Sequence, residues 1–236
     1  MPTRIDPTSH EGRVNLLTTA IATATTDRAA SRNHVPQDWI TAATAFLTPY
    51  RTKVDALNAK LGKRRDEIAE RDAKFAVLDK YVRHGWAVLE MRNDRLGLPA
   101  GLLDLYGVPP TKSAYLTPQE WVTKAQTFIS GDAKAVLDGH PAMSNPSATE
   151  IQAVLTQAQA ELADVSNAVA EFDAAQEAAQ ADVPQAMELL ADLYANLEFS
   201  LRKEAPASQR QDMRRYGVQY KYLPGEPVEP GDGASE

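Results

Sequence analysis

Residues 40–96 read ITAATAFLTPYRTKVDALNAKLGKRRDEIAERDAKFAVLDKYVRHGWAVLEMRNDRL, and this stretch decides the fold. Every seventh position carries a large apolar side chain: Ile40, Leu47, Val54, Leu61, Ile68, Phe75, Val82, Leu89 and Leu96. Because seven residues make two turns of a coiled-coil helix, at about 3.5 residues per turn, these side chains project from one side of a helix. We call this row the first seam. It predicts a long helix that a partner helix covers.

The first long helix is interrupted by one proline, Pro49. The seven-residue spacing continues from Leu47 to Val54, so we expect a bent helix rather than a loop. A continuous helix from Ile40 to Leu96 would span roughly 85 Å at about 1.5 Å per residue. Three pairs with the favourable four-residue spacing support an exposed helix: Glu67 with Arg71, Glu70 with Lys74, and Asp79 with Arg83.

A second apolar row runs through residues 148–203 in steps of three and four, with a weak patch at Gln176 and Ala179. We call it the second seam: Ile151, Leu155, Ala158, Leu162, Val165, Val169, Phe172, Val183, Ala186, Leu190, Leu193 and Leu197. Pro184 interrupts it and the phase resumes, which again favours a bend. The predicted fold is all-α, with two long, kinked, antiparallel, heptad-patterned helices and shorter flanking helices. The alternative is a compact four-helix bundle built from two hairpins, with Gly62 and Pro184 as tight turns.

Three sequence pairs have the spacing of a capping box, in which a Ser or Thr and a Glu satisfy each other's free backbone donors. They are Thr8 with Glu11, Thr117 with Glu120, and Ser147 with Glu150. Each predicts that a helix begins there. Gly97, Pro99 and Gly101 predict the end of the first long helix.

Charge divides the two long helices. Between Ala135 and Leu201 there are eleven Asp or Glu and no Lys or Arg, whereas residues 51–80 carry nine Lys or Arg against six acids. The net charge of -7 therefore hides a basic segment and an acidic segment. We expect the two to pair, within one molecule or between two.

Composition excludes several classes of protein. The chain has no cysteine, which removes disulfides, thiolate catalysis and cysteine-ligated metals. No run approaches the ~18 apolar residues of a membrane span. The first thirty residues lack the apolar core of a classical signal peptide, so the cytoplasm is the default compartment.

Catalytic and cofactor sites are not predicted. None of the four histidines, at 10, 34, 84 and 140, follows a Glu by three residues, as carboxylate-bridged di-iron bundles require. Glu67, Glu70 and Glu90 are interpreted as a solvated face. No phosphate-binding loop or nucleophile elbow occurs. We therefore expect no enzyme, no cofactor and no metal; a ligand site near His84 and Trp86 is a weaker alternative.

Nucleic-acid binding is disfavoured because acids directly follow the basic group of Lys60, Lys63, Arg64 and Arg65.

The chain is predicted to be one elongated helical domain over residues 1–223, followed by an acidic Pro/Gly tail, 224–236, which such a composition normally leaves disordered. A faint internal duplication relates residues 36–108 to 146–218. Both segments contain a proline before the long helix and end in Tyr-Gly-Val, at 106–108 and 216–218.

Two sets of residues are candidates for interaction. Arg64, Arg71 and Arg92 fall on the row three residues after the first seam, where they either cover it with their stems or pair with the acidic helix to fix register or partner choice. Val218, Tyr220 and Tyr222 alternate with polar residues, as in a short strand able to add to a neighbour.

These features favour a non-enzymatic structural protein that self-associates into a larger assembly, such as a filament, coat or scaffold. The alternative is a soluble helical adaptor that binds another helical protein through its seam or acidic face.

Overall fold

The computed structural model describes residues 2–109 and 116–222, and this part of the chain is all-α, as predicted. The helices are α1 (His10–Ala29), α2 (Gln37–Leu96), α3 (Ala100–Leu105), α4 (Pro118–Leu137), α5 (Ala148–Gln180), α6 (Val183–Leu201) and α7 (Pro206–Arg215). Two short strands, β1 (Thr3–Ile5) and β2 (Gln219–Lys221), pair antiparallel with Arg4 opposite Tyr220. The predicted tail, 224–236, lies outside the described residues.

The first long helix is a single helix of 60 residues, α2, with Pro49 inside it. It begins directly after Pro36 and ends before Gly97, whose φ of 60° is the left-handed conformation that commonly closes a helix. The alternative fold, in which Gly62 forms a tight turn, is wrong because Gly62 lies within α2.

The second long helix is bent, as predicted, but the bend has a different origin. Ala181 and Asp182 form a turn, and α6 begins at Val183 with Pro184 in its first turn. Proline is well tolerated there because a first-turn residue has no helical acceptor for its N–H. Pro184 therefore starts a new helix rather than kinking an old one.

The two long helices run antiparallel. In one region Lys63 Nζ lies 3.1 Å from Glu171 Oε2, and further along α2 Lys74 Nζ lies 3.4 Å from Gln157 Oε1. Residue numbers thus rise along α2 while they fall along α5. The predicted antiparallel pair is confirmed.

Contacts group the chain into two compact units. Unit 1 comprises Met1–Lys60 and Asp173–Glu236, and unit 2 comprises Leu61–Phe172. The core of unit 1 combines α1, the first part of α2, α6 and α7, with Leu17, Tyr50, Leu190, Leu193 and Tyr216 among its fully buried side chains. The core of unit 2 combines the rest of α2 with α3, α4 and the start of α5, around Trp86, Tyr106, Phe128, Ile151 and Leu155.

The first seam is covered along most of its length. Ile40, Val54, Phe75, Val82 and Leu89 are buried, while Leu47, Leu61 and Ile68 are half-buried. Leu96 departs from the prediction, with 70% of its surface exposed. It is the last residue of α2, and the chain turns away at Gly97.

Two of the three predicted capping boxes are present. Thr117 and Glu120 exchange hydrogen bonds at the start of α4, and Ser147 and Glu150 do so at the start of α5. The third is wrong: α1 is capped by Ser9, whose side chain accepts from Gly12 N at 3.0 Å. Glu11 instead accepts a hydrogen bond from Asn58.

The two Tyr-Gly-Val segments form the same turn. In unit 2, Gly107 has a φ of 62°, and Val108 N donates to Leu103 O at 3.2 Å. In unit 1, Gly217 has a φ of 88°, and Val218 N donates to Met213 O at 3.3 Å. Each is a glycine-terminated helix end in which one amide reaches back five residues. This likeness is what the hypothesis of an internal duplication predicts.

Candidate functional site

Lysines make the ion pairs between the long helices. Lys53 Nζ lies 2.8 Å from both carboxylate oxygens of Asp182 in unit 1, and Lys63 pairs with Glu171 in unit 2. The Lys53 pair is the less exposed of the two, so solvent screens it less. Basic and acidic segments therefore meet within one chain.

The three candidate arginines contact other groups. The guanidinium of Arg64 lies 5.2 Å from the ring centre of Phe172, Arg71 pairs with Asp72 of its own helix at 2.7 Å, and Arg92 Nη2 is 3.4 Å from Ser144 Oγ. All three are half-buried, as expected of stems that cover a seam. Their role in partner choice stays a prediction. Of the three predicted pairs along α2, Asp79 with Arg83 is formed.

The C-terminal candidates belong to unit 1. Val218 is buried in its core, and Tyr220 OH donates to Met213 Sδ at 3.2 Å. Arg214 donates to Tyr222 OH and also lies over the ring of Tyr220. The predicted strand is present as β2, with one edge paired to β1. Addition of this segment to a neighbouring chain stays a prediction.

Two buried aspartates, which the sequence analysis did not identify, accept hydrogen bonds from the tyrosines of the two Tyr-Gly-Val turns. In unit 1, Asp27 is fully buried and accepts from Tyr216 OH, Arg215 Nη2 and Arg32 Nη2 at 2.7–2.8 Å. In unit 2, Asp132 accepts from Tyr106 OH at 2.9 Å and from Met143 N at 2.8 Å. The repeated Tyr-Gly-Val was the available signal, because a buried tyrosine hydroxyl needs a partner.

The charge on Asp27 depends on its donors. Burial alone would raise the pKa of this carboxyl, but the hydrogen bonds from Tyr216 and Arg215 and the charges of Arg215 and Arg32 hold the pKa below its ordinary value. Burial and the hydrogen bond to Asp27 raise the pKa of Tyr216. The site is thus a fixed, ionised carboxylate that ties α7 to α1.

His10 gives unit 1 a dependence on pH. Its Nδ1 lies 2.9 Å from the hydroxyl of buried Tyr50, and burial, followed by the charge of Arg13, lowers the pKa of His10. The unfolded chain therefore binds this proton more readily than the folded chain. We expect the part of the free energy of unfolding that depends on His10 to be unchanged above about pH 7 and to fall as the pH drops through 6.5 and below.

Urea unfolding of the His10→Gln variant between pH 5 and pH 8 tests this. We expect a smaller loss of stability at acid pH than in the wild type. An equal loss in the His10→Gln variant would contradict this role of His10.

One group of carboxylates has the spacing of a cation site. Single oxygens of Glu67, Glu70 and Glu161 lie within 4.8 Å of one another in unit 2. Oxygen ligands suit Ca²⁺ or Mg²⁺, but carboxylates on exposed helix surfaces also gather without a cation. Within the described residues the group consists of these three carboxylates, with Glu67 and Glu161 half-buried and Glu70 exposed.

The side chains of His84 and Trp86, which were considered for a small-ligand site, point in different directions. Trp86 is buried in unit 2, with its indole N–H donating to Tyr106 O at 3.1 Å. His84 is exposed. Residues two apart on a helix face different directions, so these side chains line no common pocket.

An exposed apolar face of α2 was also missed. Val77, Tyr81 and Met91 expose 40%, 36% and 49% of their surface, and Val88 between them is half-buried. We call this side of the helix the α2 outer face: Ala73, Val77, Lys80, Tyr81, His84, Ala87, Val88, Met91 and Asp94, of which Ala87 and Val88 are half-buried and the others exposed. Its signal was a second seven-residue row, Val77, His84 and Met91, which lies opposite the first seam.

Within the part of the chain that the structure describes, none of the helices is both long enough and apolar enough to cross a membrane. Comparison with protein-family models, curated proteins and solved structures yielded no match.

Proposed function

We propose that this protein is a non-enzymatic structural subunit that associates with copies of itself. The observation that carries the proposal is the α2 outer face. Isolated exposed apolar residues are ordinary on protein surfaces, but a row of them along one helix is typical of an interface. Val77, Tyr81 and Met91 lie along one side of α2 over about four turns.

An assembly larger than a dimer needs a second, different contact, since a twofold interface closes on itself. Other exposed apolar side chains lie off the α2 outer face, among them Leu137 in unit 2, 85% exposed, and Phe199 in unit 1, 67% exposed. They are the candidates for that second contact. A filament, coat or scaffold subunit requires both kinds of surface.

Sedimentation velocity and light scattering of the purified protein test the proposal. We expect the average mass to rise above the monomer value of 25.8 kDa as the concentration increases from about 1 μM to about 1 mM. A monomer over this whole range would overturn the proposal.

The same face would suit a helix of another protein, which is the adaptor alternative. The paired charges described next favour a second copy. Recovery of a stoichiometric foreign partner, together with a monomeric purified chain, would support the adaptor instead.

A further inference from the structure

We infer that the α2 outer face is a symmetric docking surface for a second copy of this chain, with the two α2 helices antiparallel and Ala87 at the twofold axis. This inference rests on the proposed self-association and names the contact that produces it.

The two rows of the face are compatible with a register that has Ala87 at the twofold axis, and the flanking charges described next select it. Val77, His84 and Met91 form one row, and Tyr81 and Val88 form the row beside it, as at two core positions of a heptad. Antiparallel helices place the first row of one copy against the second row of the other. Tyr81 then meets Met91 of the second copy, and Val88 meets His84 of the second copy.

The flanking charges agree with the same register. Lys80 and Asp94 lie seven residues on either side of Ala87, in a row that also contains Ala73. With Ala87 at the axis, Lys80 falls opposite Asp94 of the second copy, and symmetry forms this ion pair twice. Both side chains are exposed, and neither has an ion-pair partner within residues 2–109 and 116–222. They are available for a partner.

A parallel arrangement is disfavoured by the same residues. It would place Lys80 level with Lys80 and Asp94 level with Asp94 of the second copy, so that like charges face each other. The antiparallel arrangement replaces both repulsions with attractions. It also brings Ala87 against Ala87, and small side chains there let the two backbones approach closely.

The other side of α2 offers no comparable surface in unit 2. Leu78, Val82, Trp86 and Leu89 are all buried in the core of their own unit. A second copy therefore docks on the opposite side. A single helical stretch of this length buries an area at the low end of known interfaces, so we expect a concentration-dependent dimer rather than a permanent one.

Cross-linking tests the axis, because the chain has no cysteine of its own. The Ala87→Cys variant should form a disulfide-linked dimer under mild oxidation, since the two sulfurs meet at the axis. The Ala76→Cys variant is the control: it lies on the exposed side of the same helix, but the register separates its two copies by roughly 33 Å. It should remain uncrosslinked.

Charge reversal tests the register. We expect Lys80→Glu and Asp94→Lys each to weaken dimerisation by about three- to tenfold, because each creates two like-charge contacts. The double variant restores both pairs in reversed order and should return to within about twofold of the wild type. A generic effect of charge on the surface would not be rescued.

The outcomes separate the two proposals. If the wild type self-associates while Ala87→Cys forms no cross-link, or the double reversal gives no rescue, this docking geometry is overturned and self-association stands. Equal cross-linking of Ala76→Cys overturns the register in the same way. If the wild type is monomeric throughout, both proposals fail.

Discussion

Replacing Gly131 with alanine is expected to disrupt unit 2. Gly131 lies in α4 against the end of α3, where an added Cβ would overlap the carbonyl oxygen of Leu105 and lie 2.6 Å from its carbon. Backbone atoms cannot swing aside as a flexible side chain does, so α3 and α4 must separate. We expect a loss of about 3 kcal/mol in the free energy of unfolding, despite the better helix propensity of alanine.

Gly62→Ala is the matched control, because Gly62 also lies inside a helix but its added Cβ would meet nothing within 4 Å. This variant should gain about 0.5–1 kcal/mol. Denaturant unfolding followed by fluorescence measures both changes, and hydrogen exchange locates them. For Gly131→Ala we expect lost protection in α3 and α4 with protection retained in α1. Equal stability of the two variants would contradict the close approach at Leu105.

Removing the side chain of Asp27 is expected to have a comparable effect on unit 1. In Asp27→Ala, the Tyr216 hydroxyl loses its acceptor inside the core, and Arg215 and Arg32 lose their common partner. The two arginines are about half-exposed, so water can hydrate their guanidinium groups in the variant. Most of the destabilisation therefore comes from the unpaired Tyr216 hydroxyl and from the cavity that the missing carboxylate leaves. We expect about 2–3 kcal/mol of destabilisation, with α7 losing hydrogen-exchange protection first.

The pH dependence of stability tests whether the Asp27 carboxylate stabilises unit 1. Because its folded pKa lies below the ordinary value of 3.8, Asp27 stabilises unit 1 above about pH 4 and loses that effect as the pH falls through its folded pKa. The Asp27→Asn variant should lack this part of the acid destabilisation. The Asp27→Ala and Tyr216→Phe changes should be strongly non-additive; additive effects would mean that the two side chains act independently.

Periodicity predicted the large elements well because a long helix repeats one constraint many times. Nine apolar positions at one seven-residue spacing are compatible with few structures other than a long helix. Both seams lie on helices that pack together. The capping boxes at Thr117 and Ser147 were equally clear, since two side chains satisfy each other there. At the start of α1, both Thr8 and Ser9 could serve as the N-cap. The three-residue spacing to Glu11 predicted Thr8, but Ser9 caps the helix.

Interactions between distant segments were the part that local patterns did not predict. Asp27 is 189 residues from Tyr216, and nothing near either residue in sequence indicates the other. The candidate arginines were identified from their position on one helix, but the groups that they contact depend on which side chains the neighbouring elements present. The α2 outer face did not follow from the apolar pattern because its row of Val77, His84 and Met91 contains a polar side chain.

The division of the chain between the units also bears on biosynthesis. Residues 61–172 leave the ribosome as one uninterrupted segment that contains all the residues of the unit 2 core. In unit 1, Trp39 and Tyr50 pack in a core that includes α6, which is synthesised much later. At about 5–20 residues per second, that wait lasts on the order of ten seconds. We expect the nascent chain to expose the apolar side chains between Val14 and Val54 during this interval, and a chaperone would bind them there.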